Sequence, residues 1–357
     1  MKPLIIVTGA AGFIGSAVCR YLRARDLARV VGLDKMTYAA SLSALDAVQG
    51  DPDFRLVQAD ICDGEAILRL VTETQPDAVM HLAAETHVDR SIDNPGVFLQ
   101  ANIVGTFSLL EMIRFYLSTV ADEKRKAFRF LHVSTDEVYG SLGGTGQFVE
   151  DMPYAPNSPY AASKASADHL VRAWHKTFGF PAVISNCSNN YGPYQFPEKL
   201  IPLIIAKALK GENLPVYGQG LNVRDWLYVD DHAEALYLIL NRGRLGEKYN
   251  VGGDAELRNI DLVHKLCALL DERLPDSPHR EHKKLITFVQ DRPGHDERYA
   301  MNFSKLKAEL GWRPRMSIED GLRATVAWYL DNRAWSEAIH RQTYGGERLG
   351  QGIAGKS

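Results

Sequence analysis

The chain has 357 residues, of which 45% are hydrophobic and 24% charged, and its formal net charge is −3. This length allows a large buried core, so we expect one large domain with a smaller lobe. The weakly acidic balance argues against a basic surface for nucleic acid or an anionic membrane.

The cysteines and the apolar runs indicate the cellular compartment in which the protein is expected. The four cysteines are widely spaced and form no Cys-x-x-Cys pair. This spacing predicts free thiols in a reducing cytoplasm rather than a disulfide framework or a zinc site. We expect no signal peptide and no membrane span, because the chain passes from Met-Lys-Pro directly into a strand and no apolar run approaches about 18 residues.

A glycine-rich loop follows the first apolar run. Residues 3–8 have the length of a strand, the loop contains Gly9, Gly12 and Gly15, and a helical pattern covers 16–25. This order is typical of a dinucleotide site. Gly9 permits a tight turn, Gly12 lets the backbone approach a pyrophosphate, and Gly15 lets helix and strand pack closely. A plain strand-to-helix turn is the alternative.

Two later strands end in acids. The run 29–34 ends in Asp34, where an acid binds the adenosine ribose hydroxyls and repels a 2′-phosphate. Lys35 could tolerate a phosphate, but the position of Asp34 at the strand end favours NAD over NADP. The run 54–61 carries Asp60, which we expect near the adenine amino group.

A fourth apolar run covers 78–84 and passes into a polar loop. The small side chains of Ala83 and Ala84 would let the backbone lie against a cofactor, whereas the polar loop could be only solvated surface. A long helix is predicted from Asn102 onwards. Repeating strand and helix units predict an α/β fold, a doubly wound Rossmann-type parallel sheet with a smaller C-terminal substrate-binding lobe.

Two adjacent carboxylates follow the next buried strand, residues 128–133. Asp136 and Glu137 fall at the carboxyl edge, where open α/β sheets bind their ligands. Consecutive acids at a strand end can also only cap a loop, and that alternative stays open on residue type alone.

A tyrosine and a lysine lie one turn apart on the helix predicted for 161–178. Tyr160 and Lys164 fall on one face of it. An ammonium beside a phenol lowers the pKa of the phenol, so Tyr160 is a candidate acid/base near neutral pH. By spacing alone, the pair could also arise by chance on a solvated helix.

Several segments resemble one known family. Gly9-x-x-Gly12-x-x-Gly15 with Tyr160-x-x-x-Lys164 resembles the extended short-chain dehydrogenase/reductases that act on nucleotide sugars, and residues 134–140 resemble the 4,6-dehydratases among them. The segments that resemble the dTDP-glucose 4,6-dehydratases in particular are 84–91, 188–200, 224–231 and 291–295. The similarity extends to about Leu330. Thr86 stands where the family commonly has serine, which keeps a hydroxyl.

The resemblance implies conversion of dTDP-glucose to dTDP-4-keto-6-deoxyglucose, a precursor of deoxysugars such as rhamnose, with tightly bound NAD that is not consumed. Tyr160 would take the proton of the C4 hydroxyl, with Thr135 sharing a hydrogen bond and Lys164 holding the pKa of the phenol down. Glu137 would take the C5 proton, and Asp136 would protonate the departing C6 hydroxyl, because close buried carboxylates share one proton.

The resemblance also implies two sets of binding residues and no metal. The cofactor set is Gly9, Gly12, Phe13, Ile14, Gly15, Asp34, Lys35, Thr37, Asp60, Ile61, Leu82, Ala83, Ala84, Thr86, Tyr160, Lys164 and Asn190. The substrate set is Thr86, His87, Thr135, Asn189, Glu198, Lys199, Leu200, Pro215, Tyr217, Arg224, Asn259, Arg292 and His295. Arginines suit a diphosphate, and an aromatic face suits a base. By residue type alone, the two arginines could be surface residues and His295 a solvated loop histidine.

We expect residues 1–188 to form the NAD-binding domain, with a return of the chain at 221–252. Residues 189–335 would form mainly the substrate lobe, and 336–357 a C-terminal tail. A homodimer is expected from the family, through helices at 102–117 and 161–178, although their apolar faces could also only pack on the sheet.

Two other functions are compatible with parts of this pattern. An NAD-dependent nucleotide-sugar C4 epimerase is the alternative enzyme, and the Asp136-Glu137 pair argues against it. A non-catalytic NAD-sensing or scaffold protein would need a broken glycine loop or Tyr/Lys pair, and neither is broken. The thymine preference rests on the resemblance, and a CDP- or UDP-sugar stays open.

Overall fold

The computed structural model describes residues 2–342 and 349–350. Its strands are β1 (Leu4–Thr8), β2 (Arg29–Asp34), β3 (Phe54–Gln58), β4 (Ala78–His81), β5 (Arg129–Thr135), β6 (Ala182–Cys187), β7 (Asn189–Tyr191), β8 (Leu214–Tyr217), β9 (Val223–Tyr228), β10 (Lys248–Val251), β11 (Glu256–Arg258) and β12 (Ile286–Val289). Its α-helices are α1 (Phe13–Ala24), α2 (Gly64–Thr74), α3 (Val88–Asp93), α4 (Pro95–Phe98), α5 (Gly105–Thr119), α6 (Asp122–Ala127), α7 (Pro159–Phe178), α8 (Leu200–Lys210), α9 (Val229–Arg242), α10 (Asn259–Arg273), α11 (Ser304–Leu310), α12 (Ile318–Asp331) and α13 (Arg333–Gln342).

Seven strands form one parallel sheet in the order β10-β6-β5-β4-β1-β2-β3. In β1, Val7 lies opposite Gly32 on one side and Met80 on the other. The strand order reverses between β1 and β4, and a ligand crevice opens at the carboxyl ends of the strands at such a point. The predicted doubly wound α/β fold is therefore confirmed.

Apolar side chains cover both faces of this sheet. One core joins Val7 to Val18 of α1 and Leu236 of α9. The other joins Ile6 to Leu110 of α5 and Val171 of α7. Ile6 and Val7 are neighbours on β1 and point to opposite layers, as strand alternation requires.

A third core lies outside the central sheet. It includes Ile204 of α8, Trp226 of β9 and Leu266 of α10. Two small sheets, β11-β9-β7 and β12-β8, belong to this part of the chain. Within the predicted return at 221–252, β10 joins the central sheet beside β6, whereas β9 lies in a small sheet. The division into domains remains a prediction.

The predicted C-terminal tail begins inside a helix. Residues 336–342 belong to α13, and Trp335 packs with Tyr194 and Trp328, at ring-centroid distances of 5.8 and 5.2 Å. Residues 343–348 and 351–357 of the predicted tail lie outside the described residues.

The strand predicted for 78–84 ends earlier, at His81. The Thr8 hydroxyl accepts the backbone N–H groups of Leu82 and Ala83, both at 3.1 Å. These bonds direct the chain away from the pairing of β4 with β1, at the carboxyl edge of the sheet where the crevice opens.

The helix predicted from Asn102 begins earlier, at Pro95. Proline at the first helical position has a preset φ and lacks only an N–H that would be unpaired there. Between α4 and α5 the chain forms a π-helical turn, Leu99–Val104. In this turn the buried Asn102 amide donates to the Ser163 hydroxyl at 2.9 Å.

One segment in the described part of the chain is long and apolar enough to cross a membrane by length and composition, the helix Pro95–Thr119. This segment is not an uninterrupted apolar run, because Gln100, Asn102, Glu111 and Arg114 fall within it. Leu109, Leu110 and Ile113 of this helix pack in the core beneath the sheet, and the core helix of a soluble protein passes the same test.

Candidate active site

A cavity of about 290 Å³ opens at the carboxyl ends of β1, β4 and β5. All residues of the expected cofactor set line it, and so do the five expected catalytic residues. Of the expected substrate set, the lining includes Thr86, Thr135, Asn189, Glu198 and Lys199. Residues far apart in the sequence therefore meet in one space.

The glycine loop is shaped by two close approaches. Gly9 has φ +70°, and a Cβ there would come within 2.8 Å of the Ala83 backbone nitrogen. A Cβ at Gly15 would overlap the carbonyl oxygen of Gly9. Helix α1 starts after Gly12 with no side-chain cap, so its first N–H groups are free of side-chain competition for an anion. This cradle fits the diphosphate of a dinucleotide.

Asp34 lies at the end of β2 and also holds the loop. Its Oδ2 accepts the Ala11 N–H at 2.9 Å, and its Oδ1 accepts the Met36 N–H at 2.8 Å. Burial raises the pKa of Asp34, and the two backbone bonds oppose that shift. Lys35 pairs with Asp60 at 3.5 Å, so its charge is partly neutralised, which supports the preference for NAD.

Asp136 and Glu137 begin a 3₁₀ turn directly after β5. The Thr135 hydroxyl donates to Asp136 Oδ1 at 3.1 Å and accepts the Glu137 N–H at 3.3 Å. Burial, and then the neighbouring Glu137, raise the pKa of Asp136 well above its ordinary value. Asp136 Oδ2 is buried without a hydrogen-bond partner among the described residues. A protonated Asp136 could use that oxygen to donate to a ligand.

The pKa of Glu137 responds to two opposing influences. Burial raises it, whereas the positive charges of Arg292, Arg224 and Lys199 lower it. Two neighbouring carboxylates thus differ in their surroundings, which is the condition for one to act as an acid and the other as a base.

Tyr160 and Lys164 lie on the first turns of α7, which Ser158 caps by accepting the Ala161 N–H at 3.1 Å. Burial, and then Glu137, raise the pKa of Tyr160 well above its ordinary value. The Lys164 ammonium donates to the Val133 carbonyl at 2.9 Å. The prediction of a lowered pKa for Tyr160 is therefore wrong in this structure, because burial of the phenol raises that pKa.

The other expected substrate residues lie outside this cavity: His87, Leu200, Pro215, Tyr217, Arg224, Asn259, Arg292 and His295. Three of these side chains form one cluster with Asp89. The Tyr217 hydroxyl donates to Asp89 at 2.8 Å, Arg292 lies 3.6 Å from the same carboxylate, and the rings of His295 and Tyr217 are 6.1 Å apart.

Both arginines are covered rather than on the surface. Arg224 is 5% exposed, donates to the Asp296 carbonyl at 2.9 Å and lies over the Tyr299 ring. In the described structure, Arg292 Nη1 and Asn259 Oδ1 are buried without a hydrogen-bond partner. Buried polar atoms of this kind call for a ligand or water. The surface alternative for the arginines is therefore wrong. Burial lowers the pKa of His295 to about 4, so this residue is neutral at pH 7.

Sequence reasoning did not assign a role to Arg90 or Tyr38. Arg90 binds the Glu198 carboxylate at 2.7 Å and lies 4.1 Å over the Tyr38 ring. The Glu198 side chain is therefore held by protein groups. His87 caps α3, accepting the Arg90 N–H at 3.3 Å, and its other ring nitrogen meets the Glu198 carbonyl at 3.3 Å. No local spacing reveals the two contacts with Glu198, since over 100 residues separate Glu198 from Arg90 and from His87.

Comparison with known proteins identifies the family. The family model described as GDP-mannose 4,6 dehydratase matches residues 6–325. The dTDP-glucose 4,6-dehydratase of Xanthomonas campestris pv. campestris (strain B100) is 56% identical over 345 residues, covering 97% of this chain and 98% of the relative. The chain belongs to the dTDP-glucose 4,6-dehydratase family. The Escherichia coli member is 51% identical over 97% of this chain and 99% of its own length.

Solved structures of the dTDP-glucose 4,6-dehydratase family share this fold. The Streptomyces venezuelae enzyme, solved with NAD bound, has a TM-score of 0.85 and 44% identity, covering 94% of this chain and 99% of that chain. A UDP-glucuronic acid 4-epimerase from Bacillus cereus has a TM-score of 0.80 and 28% identity, covering 92% and 99%. The epimerases are thus more distant relatives than the dehydratases.

Proposed function

We propose that this chain converts dTDP-glucose to dTDP-4-keto-6-deoxyglucose with loss of water, as a dTDP-glucose 4,6-dehydratase. The observation that carries the proposal is the meeting of Asp136 and Glu137 with Thr135, Tyr160 and Lys164 in one cavity. Tyrosine and lysine suffice for oxidation at C4, whereas loss of water also requires an acid and a base.

NAD fits the site through the glycine cradle, the uncapped start of α1 and the carboxylate of Asp34. A bound NAD would supply the acceptor for the hydride from the sugar C4 and the donor of that hydride to C6. Lys164 and Asn190 also line the cavity, and we assign them to the nicotinamide end.

Tyr160 takes the proton of the C4 hydroxyl as phenolate. The Thr135 hydroxyl lowers the pKa of the phenol against the effects of burial and Glu137. Lys164 lines the same cavity, and we assign its positive charge to stabilising the phenolate once it forms.

Glu137 and Asp136 divide the loss of water between them. Positive charges oppose the rise in the pKa of Glu137, so Glu137 is the base that removes the C5 proton, which the C4 ketone has acidified. Burial raises the pKa of Asp136 well above its ordinary value, which favours the protonated form, so we assign Asp136 as the acid that protonates the C6 hydroxyl as the C6–O bond breaks. Glu137 then returns its proton to C5.

The cluster of Tyr217, Arg292 and His295 with Asp89, together with Arg224 and Asn259, is proposed to hold the nucleotide. The unpartnered Arg292 Nη1 suits a diphosphate oxygen, and the Tyr217 ring suits a base. The preference for thymine over another base is a proposal that a panel of nucleotide-glucoses tests.

The protein is proposed to act as a cytoplasmic homodimer. Val97, Val104, Phe107, Phe115 and Phe178 are exposed along α4, the π turn, α5 and the end of α7. Exposed apolar side chains in a row suit an interface between copies, in which the same face meets itself.

The decisive experiment incubates the purified protein with dTDP-glucose without added NAD. Formation of a product with the alkali-induced ultraviolet absorbance of keto sugars supports the dehydratase. A C4-inverted sugar without water loss would identify the epimerase instead. In the double variant Asp136→Asn with Glu137→Gln, C4 oxidation should survive and NADH should accumulate; equal loss of both steps would refute the division of labour.

A further inference from the structure

The loop that follows β2, residues 35–41, forms part of the cavity wall, and we call it the cofactor loop. Four of its residues line the cavity: Lys35, Thr37, Ala39 and Ala40. Both ends of the cofactor loop are tied to one residue of the glycine loop. The Asp34 carboxylate accepts the Ala11 N–H at 2.9 Å, and the Ser41 N–H donates to the Ala11 carbonyl at 2.8 Å.

The middle of the cofactor loop is held by the chain beyond β7. The Tyr38 hydroxyl donates to Glu198 Oε1 at 3.3 Å, and its ring packs edge-on against Phe196 at a centroid distance of 5.5 Å. Arg90 lies 4.1 Å over the same ring and binds the other oxygen of Glu198 at 2.7 Å. The cofactor loop is therefore fastened to groups outside the glycine loop as well.

Helix α13 holds the end of the cofactor loop. The Trp335 indole N–H donates to the Ser41 hydroxyl at 3.0 Å. Packing fixes the indole in turn, since its ring lies 5.8 Å from that of Tyr194 and 5.2 Å from that of Trp328. Arg20 of α1 lies 4.8 Å over the Tyr194 ring. This aromatic cluster joins α12 and α13 to the helix that begins at the glycine loop.

We propose that Trp335 is a positioning residue for the dinucleotide, which it retains by holding the cofactor loop in place through Ser41. A dinucleotide that lies against this loop leaves more slowly when the loop is fastened at its end as well as at its middle. The role does not depend on the proposed loss of water, because oxidation at C4 by a dehydratase or by an epimerase needs the same cofactor.

The test measures the release of NAD rather than turnover. The full-length protein is loaded with radiolabelled NAD, and loss of the label is followed after excess unlabelled NAD is added. In Trp335→Phe we expect release to be faster by roughly 3- to 10-fold, the factor that corresponds to one lost hydrogen bond. A release rate equal to that of the unsubstituted protein would overturn the proposal.

Trp174→Phe is the matched control. The Trp174 indole N–H donates to Glu111 at 2.8 Å, and this side chain packs on the opposite face of the sheet from the cofactor loop. This variant therefore loses a bond of the same kind and should release NAD at the unsubstituted rate. Faster release by both tryptophan variants to the same extent would also overturn the proposal, because the effect would not be specific to the cofactor loop.

A double variant separates positioning from a general loss of packing. Ser41→Ala removes the acceptor of the Trp335 bond and a contact with the Ser43 hydroxyl at 3.0 Å, so it too should release NAD faster. Adding Trp335→Phe to Ser41→Ala should then have no further effect, because the bond is already absent. Effects that multiply in the double variant would mean that the two side chains act independently, and the proposal would fail. A protein that releases NAD as expected but makes no keto sugar would refute the proposed function alone.

Discussion

The backbone N–H of Tyr160 donates to the hydroxyl of Ser91 at 3.1 Å. Ser91 belongs to α3, in the segment that follows β4, so this bond ties the start of the catalytic helix to the loop beside the cofactor cradle. The same hydroxyl donates to the Val88 carbonyl at 2.6 Å, and Ser91 is fully buried. The position of Tyr160 is therefore fixed from two directions, by its own helix and by this hydroxyl.

We expect Ser91→Ala to lower both stability and activity. An N–H left unpaired in a buried place costs about 1–3 kcal/mol, and any shift of Tyr160 slows C4 oxidation. Thermal unfolding and single-turnover NADH formation measure the two effects. Ser118→Ala, which removes an exposed hydroxyl on α5, is the matched control, and a result equal to that control would contradict the anchoring role.

Gly15→Ala should abolish retention of NAD. The added methyl group would overlap the Gly9 carbonyl oxygen, so either the loop or α1 must move, and the diphosphate cradle is lost. The nicotinamide content of the purified protein is the measurement. Gly144→Ala meets no atom within 4 Å and should retain NAD fully. Equal retention by both variants would remove the glycine loop from the cofactor site.

Asp136→Asn should stop water loss and spare C4 oxidation. An amide cannot protonate the C6 hydroxyl, so we expect a fall in keto-sugar formation of roughly 10²–10⁴-fold, as for other lost acid catalysts. NADH should accumulate, as measured by its near-ultraviolet absorbance. Asp276→Asn changes an exposed carboxylate of the same type and should leave both signals intact. A variant that loses water at the normal rate would exclude Asp136 as the acid.

His232→Gln should flatten the pH dependence of stability. Burial lowers the pKa of His232 from 6.5 to about 3, and its Nδ1 lies 2.9 Å from Asn190 Oδ1. The unfolded chain binds the proton more readily, so the stability due to this residue is fully present above about pH 6.5 and is lost as the pH falls toward 3.

Glutamine cannot titrate. As the pH falls from 6.5 to 5.5, the free energy of unfolding of the variant should therefore decrease by roughly 1 kcal/mol less than that of the unsubstituted protein. Urea unfolding at several pH values measures this difference. His264→Gln, at an exposed histidine, is the control and should leave the slope unchanged. If the free energy of unfolding of His232→Gln has the same pH dependence as that of the unsubstituted protein, His232 takes up a proton as readily in the fold as in the unfolded chain.

Phe115→Glu should convert the proposed dimer to a monomer. Phe115 is 55% exposed on α5, and a carboxylate there would be buried against its own copy. Light scattering after size exclusion gives the mass. Phe288→Glu, at a side chain on β12 that is 56% exposed, should keep the dimer. A dimer that survives the Phe115 change would place the interface elsewhere.

Local spacing accounts for the parts of the site that could be predicted. The glycine loop and the pair Tyr160 and Lys164 depend on neighbours within a few residues, so their elements follow from the sequence. The Arg90 to Glu198 bond joins residues that are 108 positions apart, and no periodicity carries that information. The prediction of a lowered pKa for Tyr160 is wrong for a related reason, since that pKa depends on how deeply the fold buries the phenol.

The π-helical turn Leu99–Val104 determines how well this segment tolerates an insertion or a deletion. Such a turn holds one residue more than an α turn, and one residue corresponds to about 100° of rotation. The single rod formed by α4, the turn and α5 can therefore direct Asn102 inward to Ser163 while Phe107 and Phe115 face outward. Deleting one residue here would rotate one of these two sets out of place, so this segment should tolerate substitution far better than a change of length.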